Sequence, residues 1–259
     1  MTQVRRLRLQ DGVAISQVPM ASFGTVLRDK LSQIVFKALV IAEVRDLSPH
    51  FRRFRVGAPW LRGAACAPGD KLQIMINEAG PRTYSPFGHD ADSGTLELVA
   101  YVHGETPTAT WVRSARPGGT LRVFGPRGSL SLASVTGPVV FVGDETSFGT
   151  ALALQRARAA ADGVSYVFEA TNVEEADGVL RELGLKGAVT VARQPGHGHL
   201  GALERAVRDA FEQRPHARLV LTGHAQTIQG LRKRLKEQPV QSSGQSVKAY
   251  WADGKRGLD

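Results

Sequence analysis

Val139-Val140-Phe141-Val142, followed at once by Gly143-Asp144-Glu145-Thr146, decides the fold of the second half of the chain. A continuous apolar run is typical of a parallel strand that is covered on both faces. Helix-like and strand-like segments alternate after it. Helices are predicted over 150–161, 173–183, 200–211 and 225–235, and strands over 164–168, 188–191 and 218–221, before a terminal segment at 247–251. This alternation predicts an open, mostly parallel α/β sheet with right-handed connections.

The residues before this point have a different pattern. Short apolar or alternating segments are separated by Gly, Pro, Asp and Ser turns, which is typical of antiparallel strands. Strands are predicted over 40–44, 51–56, 71–76, 95–102 and 120–124, with one intervening helix. Together they predict a small antiparallel β-barrel. We therefore expect a basic N-terminal extension over 1–35 with a short helix near 26–36, a barrel domain over 36–134, and a nucleotide-binding-type α/β domain over 135–259.

Composition narrows the class of protein. A chain of 259 residues with 42% hydrophobic residues and 28 glycines fits a soluble globular protein of one large or two ordinary domains. No apolar run is long enough for a bilayer, and the basic N-terminus lacks a signal-peptide core, so we expect a cytoplasmic protein without membrane insertion. Cys66 is the only cysteine, which excludes an internal disulfide and a cysteine-ligated iron–sulfur cluster. An electron carrier here would be organic, or a haem held by other ligands.

The net charge is +9, with a pI near 10.1. Residues 1–55 hold ten Lys/Arg against four acids, and a second basic group is Arg232-Lys233-Arg234-Lys236. Nucleic acid is one candidate partner of such a charge. No aromatic RNA-binding motif, zinc finger or helix-turn-helix accompanies it, so we predict no nucleic-acid binding. Phosphorylated cofactors and anionic ligands would be attracted by the same positive charge. Most often, however, a run of charged residues is simply a solvated face of the protein.

Arg82-Thr83-Tyr84-Ser85 closes the apolar run 72–76 and precedes Pro86. A guanidinium can clamp a phosphate with its planar fork. In a strand, Arg82 and Tyr84 share one face and Thr83 and Ser85 the other, and a kink at Pro86 would turn Ser85 toward a ring edge. These groups suit a flavin nucleotide. An ordinary edge strand with a half-buried tyrosine is the alternative.

Two further segments suit a nucleotide. Thr106 is predicted to cap a helix that begins at Pro107, and the free N–H groups of such a turn form an anion site that fits a pyrophosphate. A plain capped helix is the alternative there. Gly143-Asp144-Glu145-Thr146 ends the first parallel strand, where open α/β sheets bind ligands.

The residues of that second segment restrict its ligand. It contains no Gly-x-Gly-x-x-Gly motif or P-loop, so a tightly held dinucleotide is not indicated. Asp144 and Glu145 would repel phosphates but suit hydroxyls, a ring edge or a transient nicotinamide, and Asp144 also suits a helix cap. His197 and His199 are weak evidence for a metal, and we predict no metal site.

Five motifs occur in one order between Phe36 and Gly254: Arg-x-Tyr-Ser, His-Gly before a Thr-Pro-x-x-x-Trp helix, Gly-Pro-Arg-Gly, Gly-Asp-Glu-Thr and a terminal Tyr-Trp-x-x-Gly. With them the chain resembles the siderophore-interacting protein family, FAD-containing ferric-siderophore reductases related to the ferredoxin–NADP reductases. The resemblance implies a flavin-binding barrel and a nucleotide-binding sheet.

The resemblance also implies roles for individual residues. Arg82 would meet the FAD pyrophosphate, Tyr84 would pack on the isoalloxazine, and Ser85 would approach flavin N5, where hydride arrives, as the catalytic residue. Lys248, before Tyr250, is the first candidate to attract an anionic iron chelate. Other implied cofactor contacts are Thr83, Val102 and His103 beside the ring, Thr106 and Thr108 at the pyrophosphate, and Asp144, Glu145, Thr146 and Trp251 facing flavin and nicotinamide.

The chain departs from the family at two places. Thr106-Pro107-Thr108 replaces the usual Gly-Pro-Ala, and Ser147-Phe148-Gly149-Thr150 replaces the usual Ala-Leu-Pro-Ala. The first change affects the phosphate contacts, and the second affects the nicotinamide pocket.

The function implied is FAD-dependent reduction of ferric siderophores by a monomeric enzyme, with electrons from NADPH or NADH through flavin N5. Glu169 would favour the free ribose of NAD, Arg193 would bind a 2′-phosphate, and NADPH is the family's usual donor. Three alternatives stay open: a general NAD(P)H flavin reductase, the same reductase fed by ferredoxin, and a non-catalytic binding module.

Overall fold

The computed structural model describes residues 36–76, 79–158 and 163–255. The predicted extension 1–35 lies outside these residues, as do the predicted helix near 26–36 apart from Phe36 and the last part of the helix predicted over 150–161. The described residues from Lys37 onward form one compact unit. No helix within the described part of the chain is long and apolar enough to cross a membrane.

The first sheet of the described residues is antiparallel and has seven strands: β1 (Lys37–Ser48), β2 (Phe51–Gly57), β3 (Lys71–Ile76), β4 (Gly80–Tyr84), β5 (Phe87–Asp90), β6 (Thr95–Tyr101) and β7 (Thr120–Arg127). Their order in the sheet is β4-β3-β7-β1-β2-β6-β5. Strand β4 contacts β6, so the two ends of the sheet approach each other and the sheet curls into a barrel. The predicted antiparallel barrel is confirmed.

Helix α1 (Pro107–Ser114) closes one side of the barrel. It begins as predicted, because Thr106 Oγ1 accepts a hydrogen bond of 3.1 Å from Ala109 N and Pro107 is the first helical residue. Its buried face packs on apolar side chains that alternate along the strands, as sheets with one covered face require. This core includes Leu39, Phe54, Val56, Leu72, Ile74, Leu96, Leu98, Ala109, Val112 and Val123.

The prediction that Arg82–Ser85 closes the strand of residues 72–76 is wrong. Arg82 and Tyr84 belong to the next strand, β4, which pairs antiparallel to β3 with Tyr84 opposite Leu72. Gly80 and Pro81 are the first two residues of β4, so the chain has reversed before them, and Gly-Pro is a common signal of a nearby turn. Ser85 follows β4 rather than lying in it. The short strand β5 was not predicted, because its four residues include Gly88, His89 and Asp90 and show no apolar alternation.

The elements after the barrel are β8 (Val139–Gly143), α2 (Phe148–Arg156), β9 (Val164–Ala170), α3 (Val173–Glu182), β10 (Val189–Ala192), α4 (Leu200–Gln213), β11 (Arg218–His224), α5 (Ala225–Glu237) and β12 (Gln245–Trp251). Within the described part of the chain, their five strands form a second sheet in the order β10-β9-β8-β11-β12, and all its neighbouring pairs are parallel. The predicted parallel α/β sheet is confirmed, and the predicted terminal segment is its edge strand.

Every residue of β8 is buried. Val139 and Phe141 face the core that contains α2 and α3, while Val140 and Val142 face the core that contains α4 and α5. Helices thus cover both faces, which explains why the strand reads as a continuous apolar run.

The two sheets share an apolar contact. Phe51 and Phe87 of the barrel belong to the same buried cluster as Phe148, the first residue of α2. The Phe51 and Phe148 rings stack with centroids 5.2 Å apart. This contact brings the start of α2 to the barrel at the end of β4, and the predicted boundary near residue 134 lies in the link between β7 and β8.

Candidate functional site

Ser85 lies where the two sheets meet. Its Oγ is 2.8 Å from Thr150 Oγ1 of α2, and Thr150 Oγ1 is 2.6 Å from the Tyr250 hydroxyl of β12. Sequence reasoning identified Ser85 but did not connect it to Thr150 or Tyr250. The available signal was the departure from the family motif at Thr150.

Side chains alternate along β4 as predicted. Arg82 and Tyr84 are half-buried, whereas Thr83 is exposed. Arg82 Nη1 donates to Ala79 O at 2.6 Å and to Pro81 O at 3.0 Å, so the guanidinium lies over its own turn. Burial raises the pKa of the Tyr84 hydroxyl above its ordinary range, which keeps this ring neutral.

The segment after β6 leads into the capped helix. Val102 is buried and its N–H donates to His50 O at 2.8 Å, whereas His103 is exposed with its ring 5.8 Å from that of Tyr101. Thr106 and Thr108 lie at the start of α1. Thr108 Oγ1 is buried, and no group among the described residues forms a hydrogen bond with it.

FAD fits this site, because its pyrophosphate would provide an acceptor for the unpaired Thr108 hydroxyl. A buried hydroxyl without a partner costs about 1–3 kcal/mol. At a helix N-terminus, free N–H groups and the positive end of the dipole favour an anion, and a phosphate oxygen would also accept from this hydroxyl. The donors at this turn therefore match a pyrophosphate, with Arg82 as a candidate further donor.

The side chain of Asp144 stabilises the turn after β8 through hydrogen bonds. Asp144 caps the following 3₁₀ turn, as predicted, because its Oδ1 accepts from Thr146 N at 2.9 Å. Its Oδ2 accepts from Trp251 Nε1 at 2.7 Å. The Asp144 side chain is fully buried and needs the glycine at 223, since a Cβ there would lie 2.5 Å from the Asp144 carboxyl group. Burial, followed by the Glu145 carboxylate, raises the pKa of Asp144 to about 6.

Glu145 is also buried, and both of its oxygens have partners. Oε1 accepts from Thr171 N at 2.7 Å, and Oε2 lies 2.6 Å from Arg193 Nη2. The same guanidinium nitrogen lies 3.7 Å from Glu169 and 4.0 Å from Asp144. One arginine therefore serves as the common cationic partner of three carboxylates at the ends of neighbouring strands.

Glu169 and Arg193 were predicted to read the ribose or the 2′-phosphate of a nicotinamide nucleotide. Glu169 is buried, pairs with His199 and accepts from Thr227 Oγ1 at 3.1 Å. Arg193 is held by Glu145. Both side chains therefore already have protein partners. Together with their partners they form a group at the carboxyl edge of the parallel sheet, which we call the carboxylate cluster: Asp144, Glu145, Glu169, Arg193 and His199.

Strand β12 brings Trp251 to this cluster. Its register against β11 shifts between Gly223 and His224, and such a bulge re-aims consecutive side chains. Tyr250 thereby reaches Thr150, while Trp251 donates to Asp144 and stacks on His224 with ring centroids 4.1 Å apart. Lys248 is half-exposed and lies opposite Thr222, two residues before Tyr250.

Residues 77–130 match the siderophore-interacting FAD-binding domain family. The matched segment contains Arg82–Ser85 and the start of α1, which are the barrel half of the site. The resemblance to the siderophore-interacting protein family is confirmed. A comparison with curated proteins gave no match.

Solved structures share the whole fold. The siderophore-interacting protein SipS from Aeromonas hydrophila is 17% identical with a TM-score of 0.66, over 85% of this chain and 92% of that one. A siderophore utilization protein from T. fusca is 23% identical with a TM-score of 0.64, over 86% and 95%. The ferredoxin-NADP+ reductase from Plasmodium falciparum is 13% identical with a TM-score of 0.59, over 83% and 96%. The siderophore-interacting and ferredoxin–NADP reductase folds are therefore the fold of this chain.

Proposed function

We propose that this protein is an FAD-dependent oxidoreductase that reduces ferric siderophores with electrons from NADPH or NADH. The observation that carries the proposal is the match of residues 77–130 to a siderophore-interacting FAD-binding domain. That segment holds both Ser85, at the meeting of the two sheets, and the unpaired buried hydroxyl of Thr108.

The barrel half would hold the cofactor. The pyrophosphate would be bound by Thr106, Thr108 and the N–H groups of α1. The Arg82 guanidinium would turn away from its carbonyl partners and donate to the same group. Tyr84, Val102 and His103 would lie beside the ring, and Thr83 would flank it from β4. Ser85 would meet the ring edge at N5. When bound, FAD supplies the ability to take two electrons and release them singly.

The α/β half would receive the nicotinamide donor. Asp144 and Glu145 are buried, and donors from the protein engage each of their oxygens, so these carboxylates are held in place rather than left free to move toward a bound ring. Thr146 and Trp251 both contact Asp144 at the same edge, and they would complete the contacts with flavin and nicotinamide. The ring of Trp251 is fixed by Asp144 and His224, which preorganises this side.

The iron chelate would bind near Lys248, whose charge attracts an anion. Siderophores present hard oxygen donors that favour Fe(III) over the softer Fe(II). Reduction therefore weakens the chelate, and the protein needs to supply positioning and electrostatics rather than an acid–base pair.

The test is anaerobic stopped-flow absorbance of the FAD-loaded protein. NADPH or NADH is mixed first, and a ferric siderophore with a ferrous trap follows. We expect one nicotinamide to bleach the oxidised-flavin band, and the chelate to restore it with stoichiometric Fe(II).

Other outcomes select the alternatives. Bleaching without iron-dependent recovery indicates a general flavin reductase. Bleaching by reduced ferredoxin but by neither nicotinamide indicates a ferredoxin-fed reductase. A protein that binds no FAD overturns the proposal and indicates a non-catalytic binding module.

A further inference from the structure

We propose that Thr150 and Tyr250 are positioning residues that set the direction of the Ser85 hydroxyl hydrogen, so that Ser85 donates to the ring edge of bound flavin. The inference rests on the proposed function and assigns the residues that act through Ser85. Its basis is a chain of three hydroxyls from three elements: Tyr250 of β12, Thr150 of α2 and Ser85 after β4.

The count of hydrogens determines the direction of this chain. Each hydroxyl has one hydrogen to donate. Thr150 Oγ1 donates to Ser85 Oγ at 2.8 Å, so its contact of 2.6 Å with the Tyr250 hydroxyl is one in which Tyr250 donates. Ser85 then accepts from Thr150. The Tyr250 hydroxyl also interacts with Ser85, but Tyr250 donates to Thr150, so the hydrogen of Ser85 is not needed to complete the chain and can point to a group outside it.

The chemistry of the three hydroxyls supports the same direction. A phenol is more acidic than an aliphatic hydroxyl, so it is the better donor and the natural start of the chain. Burial raises the pKa of Tyr250 above its ordinary value, so this donor keeps its hydrogen. Thr150 is fully buried, and no water competes for its oxygen. Hydrogen bonds in such a chain polarise one another, which strengthens the final donor.

Local features of this chain make the contact possible. A Cβ at Gly149 would lie 2.7 Å from the carbonyl oxygen of Ser85, so only a glycine lets α2 approach this closely. The stacked rings of Phe51 and Phe148 hold the same end of α2 on the barrel. The bulge in β12 brings in Tyr250. Gly149 and Thr150 are two of the residues at which the sequence departs from the family motif.

A fixed donor has a defined effect on a bound ring. A hydrogen bond aimed at an acceptor nitrogen holds the ring in one orientation and withdraws electron density from it. Without Thr150, the Ser85 hydroxyl is free to rotate and to donate elsewhere. Loss of the chain should therefore affect both the environment of N5 and the rate at which the flavin accepts hydride.

The experiment compares FAD-loaded wild type with Thr150→Val, which keeps the shape of the side chain but removes the hydroxyl. Tyr250→Phe is the second variant, and Thr150→Ser is the conservative rescue. Thr190→Val is the matched control, because Thr190 lies on the distant strand β10 and its hydroxyl donates to Asp177 of helix α3. The readouts are the ¹⁵N chemical shift of flavin labelled at N5, the rate of bleaching by nicotinamide, and the nicotinamide dissociation constant.

We expect Thr150→Val to move the N5 signal toward that of a flavin lacking this hydrogen bond and to slow bleaching about tenfold, the effect of one hydrogen bond. The nicotinamide dissociation constant should stay unchanged. Tyr250→Phe should act in the same direction, and Thr150→Ser should restore both readouts. An N5 signal and a rate that match those of wild type and Thr190→Val in both deletion variants would overturn the inference.

The readouts separate this inference from the proposed function. An N5 signal that responds to Thr150→Val in a protein that reduces no iron supports the inference and contradicts siderophore reduction. Iron reduction by a protein whose N5 signal does not respond to Thr150→Val supports siderophore reduction and contradicts the inference. A wild type that binds no FAD overturns both.

Discussion

The two halves of the site differ in how far the oxygen atoms of their buried side chains are satisfied by the protein itself. In the barrel half, Arg82 and Thr83 are accessible, Arg82 rests on backbone carbonyls, and the buried hydroxyl of Thr108 has no partner among the described residues. In the α/β half, Asp144 and Glu145 are buried and each of their oxygens has a protein donor.

This difference follows from the kind of group that each half contains. A buried charge that lacks a partner is strongly destabilising, so the carboxylates must be paired whether or not a ligand is present. A neutral hydroxyl and free N–H groups at a helix start cost less and can await an anion. We infer that the barrel half supplies the binding energy for a resident cofactor, and that the α/β half is a preorganised surface for a transient one.

Removal of the shared cation should have the largest effect. Arg193→Met leaves three carboxylates of the carboxylate cluster without their common partner, and we expect the free energy of unfolding to fall by about 3–5 kcal/mol. Urea unfolding of the FAD-free protein measures it. Arg45→Met is the control, because Arg45 forms an exposed pair with Glu182 and should change stability by less than about 1 kcal/mol. A loss equal to that of the control would show that the cluster is not tightly coupled.

The charge of Asp144 should appear in the pH dependence of stability. Its pKa rises on folding from its ordinary 3.8 to about 6. Within this interval the unfolded chain has released a proton that folded Asp144 still holds, so this group makes the free energy of unfolding fall as pH rises, by up to about 3 kcal/mol in total. Above pH 6 its contribution is constant.

Asp144→Asn removes the titration of this group. The amide oxygen still accepts from Thr146 N, and the loss of the hydrogen bond from Trp251 lowers stability by an amount that does not depend on pH. Urea unfolding at several pH values should show that wild type loses stability relative to the variant as pH rises toward 6. Parallel curves for the two proteins would contradict the raised pKa.

The barrel half should respond through ligand binding rather than through stability. Thr108→Val removes the unpaired hydroxyl, and we expect FAD binding to weaken by about ten- to hundredfold, since a hydrogen bond to a charged phosphate is worth about 1.5–3 kcal/mol. The stability of the FAD-free protein should stay unchanged or increase slightly. Fluorescence titration with FAD measures the affinity, and Thr110→Val, at an exposed position of the same helix, is the control. Equal affinities in the two variants would exclude Thr108 from the pyrophosphate site.

Lys248→Met should have the smallest effect. The side chain is half-exposed, so its attraction for an anionic chelate is screened by salt. We expect a rise of about two- to threefold in KM for the ferric siderophore at low ionic strength, vanishing at high ionic strength, with the rate of flavin bleaching unchanged. Steady-state kinetics at two salt concentrations check this. A salt-independent change would indicate a packing role instead.

Local patterns predicted much of the fold. The apolar run 139–142 and the alternation after it identified the parallel sheet, because helices on both faces remove the polar positions of its central strands. The caps at Thr106 and Asp144 were predictable, since each joins a side chain to a backbone N–H within three residues. Interactions between residues so close in the chain can be predicted from the sequence alone.

The contacts of the site were decided by the tertiary structure. The chain reversal that makes β4 a separate strand depends on its pairing with β3. Ser85 and Thr150 are 65 residues apart, and Thr150 and Tyr250 are 100 residues apart. Their meeting requires the apolar contact between the sheets, the absence of a side chain at Gly149 and the bulge in β12. The sequence by itself determined which elements form and which side chains end them. Only packing decided which of those side chains touch, because that depends on how separately formed surfaces fit together.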